Sequence, residues 1–184
     1  MKTFLISENI KYEGWQLAPH WIYKNFKIMG DAIVAFKGEC EVKLTEMVDI
    51  EDVVNNEPIY SKNMLSFITE QFNVDLVEGV FRQRLLICII KEALEKRGFI
   101  VSRNGDDLFV CGKKLTVSIA TKSLTSILIH TGVNIDSEGA PIAACGLTND
   151  LGITDIDEFA NEIMQKYSEE IDDIILASTK VRGV

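Results

Sequence analysis

The segment Asn104-Gly105-Asp106-Asp107-Leu108-Phe109-Val110-Cys111-Gly112-Lys113-Lys114-Leu115 places two carboxylates, an apolar run, a glycine turn and a lysine within a few positions of one another. Asp106 and Asp107 end a turn, Leu108 to Val110 reads as a short strand, and Cys111-Gly112-Lys113 reverses the chain. Lys114 then opens the returning strand, close to the acids it left. An ammonium held near carboxylates at the mouth of a sheet can neutralise an anionic ligand, the chemistry expected of Lys114 here; a hairpin lysine with its head in water is the plain alternative. Further on, His130-Thr131-Gly132-Val133-Asn134-Ile135 ends another apolar strand with a glycine and an amide.

Other chemistry-bearing residues are scattered. Arg82 and Arg84 lie on an apolar helical segment, as binders of a carboxylate or phosphate or as its solvent ends. His20, beside Trp21, reads as a packed or surface side chain and stands with the candidate ligand contacts rather than as a catalyst. Glu46, Asp49, Glu51 and Asp52 form either a solvated acidic loop or a seat for Mg²⁺ on a phosphate ligand, since that ion uses one or two carboxylates plus waters. No dinucleotide fingerprint, P-loop or nucleophile elbow is present. Two distant histidines and four cysteines without metal spacing give no metal site. The cysteines read as structural thiols, Cys88 and Cys111 within apolar runs.

The elements that must position these residues follow from period and punctuation. A helix is expected from Pro19 to Ile28, ended by Gly30. Asp31 to Phe36 reads as a buried strand and Cys40 to Leu44 as a half-exposed one, with Gly38 between them. Glu46 to Glu57 reads as irregular, and Met64 to Phe72 fits neither period. Val80 to Arg97 is the clearest helix, apolar nearly all round from Leu85 to Ile90 and closed by Gly98. Four β-rich runs follow, and a last helix starts at Asp155, where Glu158 makes a capping-box spacing, and runs to about Ala177. Strands and helices do not alternate, which predicts an α+β fold, mainly antiparallel, with helices on one face.

The Asp107-to-Lys114 spacing resembles the biotin and lipoate protein ligases, relatives of the class II aminoacyl-tRNA synthetase core. Their motif K-W-P-N-D, three hydrophobic residues, any one residue, then [GD]-[RK]-K-[LI], is matched at Asp107 and, seven positions later, Lys114, and their later G-[IL]-N strand end at Gly132-Val133-Asn134. The apolar helix before the motif matches Arg84 to Leu94. The resemblance implies that Lys114 contacts the acid's carboxylate and the α-phosphate of an acyl-adenylate. Asp106, Asp107, Gly112, Gly132 and Asn134 would shape the pocket, with ATP and Mg²⁺ as cofactors if the protein is a ligase or acyltransferase. Where those ligases carry a Gly- and Arg-rich phosphate loop, this chain has Phe36-Lys37-Gly38-Glu39-Cys40-Glu41-Val42-Lys43-Leu44-Thr45-Glu46, leaving Gly38 as that loop's one glycine. A non-catalytic remnant of the fold, acting as a subunit or interaction module, is the alternative. Over its whole length the sequence resembles a prokaryotic family known only as a domain of unknown function (number 366), in Gln16-Leu17-Ala18-Pro19-His20-Trp21, Gly30-Asp31-Ala32-Ile33-Val34-Ala35-Phe36, Met47-Val48-Asp49-Ile50-Glu51-Asp52 and Arg82-Gln83-Arg84-Leu85-Leu86.

Composition bounds the rest. The 184 residues carry 28 acidic and 19 basic side chains, a formal charge of −9. That balance argues against a nucleic-acid backbone or an anionic membrane as partner. With 47% hydrophobic and 26% charged residues the chain is globular rather than disordered, and a single domain over 1–184 is expected. The N-terminal apolar run is too short for a signal peptide and no run approaches a membrane span, so a cytoplasmic location is expected. The expected partner is a small carboxylate or its nucleotide adduct, with a homodimer left open.

Overall fold

A computed structural model describes residues 1–140 and 142–184. The elements are β1 (Lys2–Leu5), α1 (Trp21–Phe26), β2 (Ala32–Val42), α2 (Ile50–Asn55), β3 (Ile59–Phe72), α3 (Leu76–Glu95), β4 (Val101–Asn104), β5 (Asp107–Val110), β6 (Lys113–Lys114), β7 (Thr116–Lys122), β8 (Ser126–Asp136) and α4 (Ile156–Thr179). One sheet has five strands in the order β1-β2-β3-β8-β7, antiparallel except for the parallel β1–β2 pair. A smaller antiparallel sheet is formed by β4, β5 and β6.

Alternation along the strands sends side chains to two different cores. Ile33, Ala35, Leu65, Phe67, Val133 and Ile135 face α3 and α4 and meet Leu86, Ile90, Phe159 and Ile163. Ala32, Val34, Phe36, Met64 and Ile68 face the other way, onto Ile6, Tyr12, Trp21 and Ile22. The long helices therefore share one face, while α1 and the N-terminal segment cover the opposite one. The expected α+β architecture is present.

Local differences from the sequence expectations have physical reasons. Met64 to Phe72 lies within β3, which is buried on both faces and carries Ser66, Thr69, Glu70 and Gln71 inside. Burial on both sides erases the two-residue period. Gly38 does not split β2; a bulge between Gly38 and Cys40 shifts the register within one continuous strand. The acidic stretch contains α2, capped by the Asp49 carboxylate accepting from the Glu51 N–H at 2.8 Å, with Glu51 and Asp52 in its first turn. None of its residues is buried, so no apolar stripe marks it. Helix α3 starts at Leu76, earlier than expected, because the Asp75 side chain caps it while Val77 and Phe81 stay exposed. The Asp155–Glu158 cap of α4 forms as expected.

Cys40 and Cys145 are buried, and burial pushes their thiols up to about 12 and about 11. Cys88 is half-buried. Cys111, expected within an apolar run, is instead exposed at the β5–β6 turn. No helix among the described residues is long and apolar enough to cross a membrane.

Candidate functional site

The chain reverses at Cys111-Gly112, where both residues have positive φ (51° and 75°). Two consecutive left-handed residues make the mirror-image turn that suits a twisted hairpin, and glycine takes its half without strain. The turn pairs Val110 with Lys113 and Phe109 with Lys114. Lys114 Nζ then lies 2.9 Å from Asp107 Oδ2, with both side chains half-buried. Backbone bonds fix Lys114 from a second direction: its N–H donates to the Ala143 carbonyl and its carbonyl accepts from the Cys145 N–H. Its neighbour Leu115 accepts from the Asn134 N–H, tying the hairpin to β8.

Beside this pair the covering layer over the sheet gives way to a cleft of about 590 Å³. Leu17, Val42, Met64, Val117 and Ile142 supply apolar walls. His130 and Tyr12 lie on its inner side, and Asn134 lines it with its carboxamide free of protein partners among the described residues. The rim is acidic: Glu46, Asp49, Asp52, Glu57, Asp106 and Asp107 all line it. Among the described lining residues Lys114 is the one lysine or arginine. Burial, with the like charges of Asp49 and Glu57, raises the Asp52 pKa, while the Lys114 ammonium pulls it back down. The described residues hold no group of three or more His, Cys, Asp or Glu that could hold a metal ion.

His130 is deeply buried, and desolvation pushes its pKa down to about 3. The ring is neutral at pH 7, its Nε2 3.2 Å from Ser66 Oγ and its face stacked on Tyr12 at 3.7 Å.

The structure brings together Lys114, Asp106, Asp107 and Asn134 of the residues singled out from sequence. Asp106 is held by Gln83 Nε2 at 2.9 Å and by Arg84 at 3.0 Å, so Arg84 acts on the site through Asp106 rather than by lining the cleft. Gly132 sits between Ser66 and Val117 in the sheet, and a Cβ there would strike the Met64 thioether; its absence makes room for Met64 in the wall. The remaining four lie elsewhere. Gly112 shapes the far end of the hairpin. Arg82 pairs with Glu78 along α3. Gly38 is no phosphate loop: the Ile10 backbone passes so close that no Cβ would fit. His20 borders a separate hollow near the other end of β3. Of the four acids read as a loop or Mg²⁺ seat, Glu46, Asp49 and Asp52 reach the cleft.

His130 and Tyr12 were not among the sequence candidates. A signal for His130 existed, because strand alternation puts it on the same face as Gly132 and Asn134. Tyr12 comes from a loop with no period and carries no such signal.

Solved structures share this arrangement of elements, and a known sequence is similar along most of the chain. A protein of unknown function from Pyrococcus horikoshi is 41% identical, with a TM-score of 0.94 over 100% of this chain and 98% of that one. An uncharacterised protein of Methanocaldococcus jannaschii is 40% identical over 95% of this chain and 81% of its own length. A candidate lipoate protein ligase from T. acidophilum with bound lipoic acid is 13% identical, with a TM-score of 0.61 over 94% of this chain and 86% of that one. The fold is thus the one shared by lipoate and biotin protein ligases. Residues 1–182 match the family described as domain of unknown function DUF366, and the chain belongs to that family.

Proposed function

We propose that the cleft binds a small carboxylic acid or its acyl-adenylate-like adduct, with Lys114 neutralising the anion, and that any chemistry there is ligation or acyl transfer. The observation that carries this reading is the position of Lys114, the one lysine or arginine among the described residues lining a largely apolar-walled cleft. A carboxylate entering the cleft joins or replaces Asp107 as the partner of Lys114, and the Asn134 carboxamide offers a donor to its second oxygen. Leu17, Val42, Met64 and Val117 take the apolar tail and shed water from it, which strengthens the charge contact at the mouth. In acyl transfer the same ammonium would stabilise negative charge developing on the acyl oxygen.

The charge count limits what else fits. A carboxylate, or the acyl phosphate of an acyl-adenylate, carries a single charge that one ammonium matches. A nucleoside triphosphate does not fit six rim carboxylates, one lysine and no glycine-rich loop.

Calorimetric titration of octanoate, lipoate and biotin into wild type and Lys114→Ala tests the reading. The expected result is saturable binding of at least one acid that is lost in the variant; equal affinity in both sinks the proposal. A second reading, a non-catalytic remnant acting as a subunit or interaction module, is favoured by the Lys114 ammonium already being paired with Asp107. Saturable ATP binding or pyrophosphate exchange would count against it.

A further inference from the structure

Near the far end of β3 from the cleft, a hollow of about 380 Å³ is bordered by His20, Tyr23, Ile28, Met29, Glu70 and Phe72. Met64, in the cleft wall, and Glu70 share one face of β3 six residues apart, and the cleft and the hollow have no described lining residue in common.

Glu70 is an unusual residue for a buried strand. Its side chain is 4% exposed. Oε1 accepts two hydrogen bonds, from the His20 backbone N–H at 2.8 Å and from Ser126 Oγ at 2.7 Å. Oε2 has no donor among the described residues, and the residue carrying it borders the hollow. Oε2 is not fully buried, so it stays open to water or a ligand in the hollow. Among the described residues no cation is paired with Oε2. His20 Nδ1 approaches the other oxygen, at 3.9 Å, and Lys2 Nζ is held by the Met29 carbonyl at 2.8 Å.

The rest of the hollow has one chemical character. The Tyr23 and Phe72 side chains border it, and the His20 ring lies 5.9 Å from Phe72 at 19°. Ile28 and Met29 add apolar surface. Aromatic faces attract cations through their negative π-faces, and the attraction grows as water is excluded. A carboxylate at the base of an aromatic, apolar hollow is complementary to an alkylammonium: charge to Oε2, carbon against the rings. The His20 backbone takes the left-handed conformation (φ 63°, ψ 15°) at the start of α1, and its N–H is held there by Glu70. The same carboxylate thus positions one wall of the hollow and leaves its second oxygen free.

We propose that this hollow is a second ligand site, specific for a small organic cation of the primary or quaternary ammonium class. It is independent of the acid-binding reading of the cleft, and either can fail alone.

Titration of choline and n-butylammonium, followed by amide chemical shifts and calorimetry, tests it against the uncharged isostere 3,3-dimethylbutanol. The expected result is saturable millimolar binding of an ammonium with shifts at Tyr23, Met29 and Phe72, and roughly tenfold weaker binding of the isostere. Glu70→Gln keeps the acceptor for His20 and Ser126 while removing the charge, and it should weaken ammonium binding by about tenfold or more. Tyr23→Leu changes a half-exposed ring and leaves Glu70 alone; if Glu70→Gln does not fold, this variant decides, with a loss of roughly threefold expected. Absent ammonium binding, equal binding of the isostere, affinity unchanged in whichever variant decides, or displacement by octanoate would each overturn the site.

Discussion

The His130 imidazole lies flat on the Tyr12 ring, with centroids 3.7 Å apart and planes 10° from parallel. The stack seals the inner side of the cleft and keeps water from the imidazole, which holds the folded-state pKa near 3 against 6.5 for the free group. Between those values the unfolded chain binds the proton and the folded chain does not, so this group's contribution to stability falls as pH falls below about 6.5. Lowering the pH from 7 to 5 should cost about 2 kcal/mol through this residue. Urea unfolding at the two pH values, compared with His130→Phe, checks it. The variant keeps the stack and should lose that part of the pH slope.

Asp52 opposes an incoming anion at the same rim that Lys114 serves. Its raised pKa reports burial and three like-charged neighbours, Asp49, Glu57 and Glu51, so its ionised form is the disfavoured one. Asp52→Asn removes a negative charge within reach of Lys114 and should tighten carboxylate binding by roughly twofold to fivefold. Calorimetry with the acid that wild type binds reads this out; weaker binding would place Asp52 on the ligand's side.

Gly132→Ala is expected to destabilise the protein by about 1–3 kcal/mol, because the new methyl displaces the Met64 thioether from a packed wall. Met64→Ala in the same chain should relieve the clash, giving a double-mutant coupling on the order of 1 kcal/mol. Additive effects would mean that the two residues do not compete for the space.

Asp106 separates positioning from charge. Asp106→Asn keeps an acceptor for Gln83 and loses only a partly exposed pair with Arg84, a change of less than about 1 kcal/mol. Asp106→Ala also removes an acceptor from the buried Gln83 amide and should cost about 1–2 kcal/mol. Thermal unfolding of both variants tests the order.

The elements most readable from sequence were those whose burial is one-sided or bounded by capping and turn residues. The α4 cap at Asp155, the Cys111-Gly112 turn and the apolar middle of α3 all belong to this group, and the hairpin carried Asp106, Asp107 and Lys114 to the cleft. Strand β3 was not readable, because a strand buried on both faces and holding Glu70 and Gln71 inside shows no period. Helix α2 was missed for the opposite reason, having nothing buried to mark it. Gly38 and His20 lie away from the cleft because each is fixed by a contact distant in sequence. Gly38 answers to the Ile10 backbone and His20 to Glu70, and neither distance can be read along the chain.

Helix α2, with no fully buried residue, gives the cleft two walls of different permanence. Its inner wall belongs to β3 and β8, whose amides are locked in a central sheet and should exchange with deuterium only when the whole molecule opens. Its outer wall is a single short helix with Ile50 77% and Val54 78% exposed, so the opening free energy there should be close to zero. A ligand held against both walls must give up the entropy of stilling that helix, and its affinity depends on temperature through that ordering as well as through the contacts it makes.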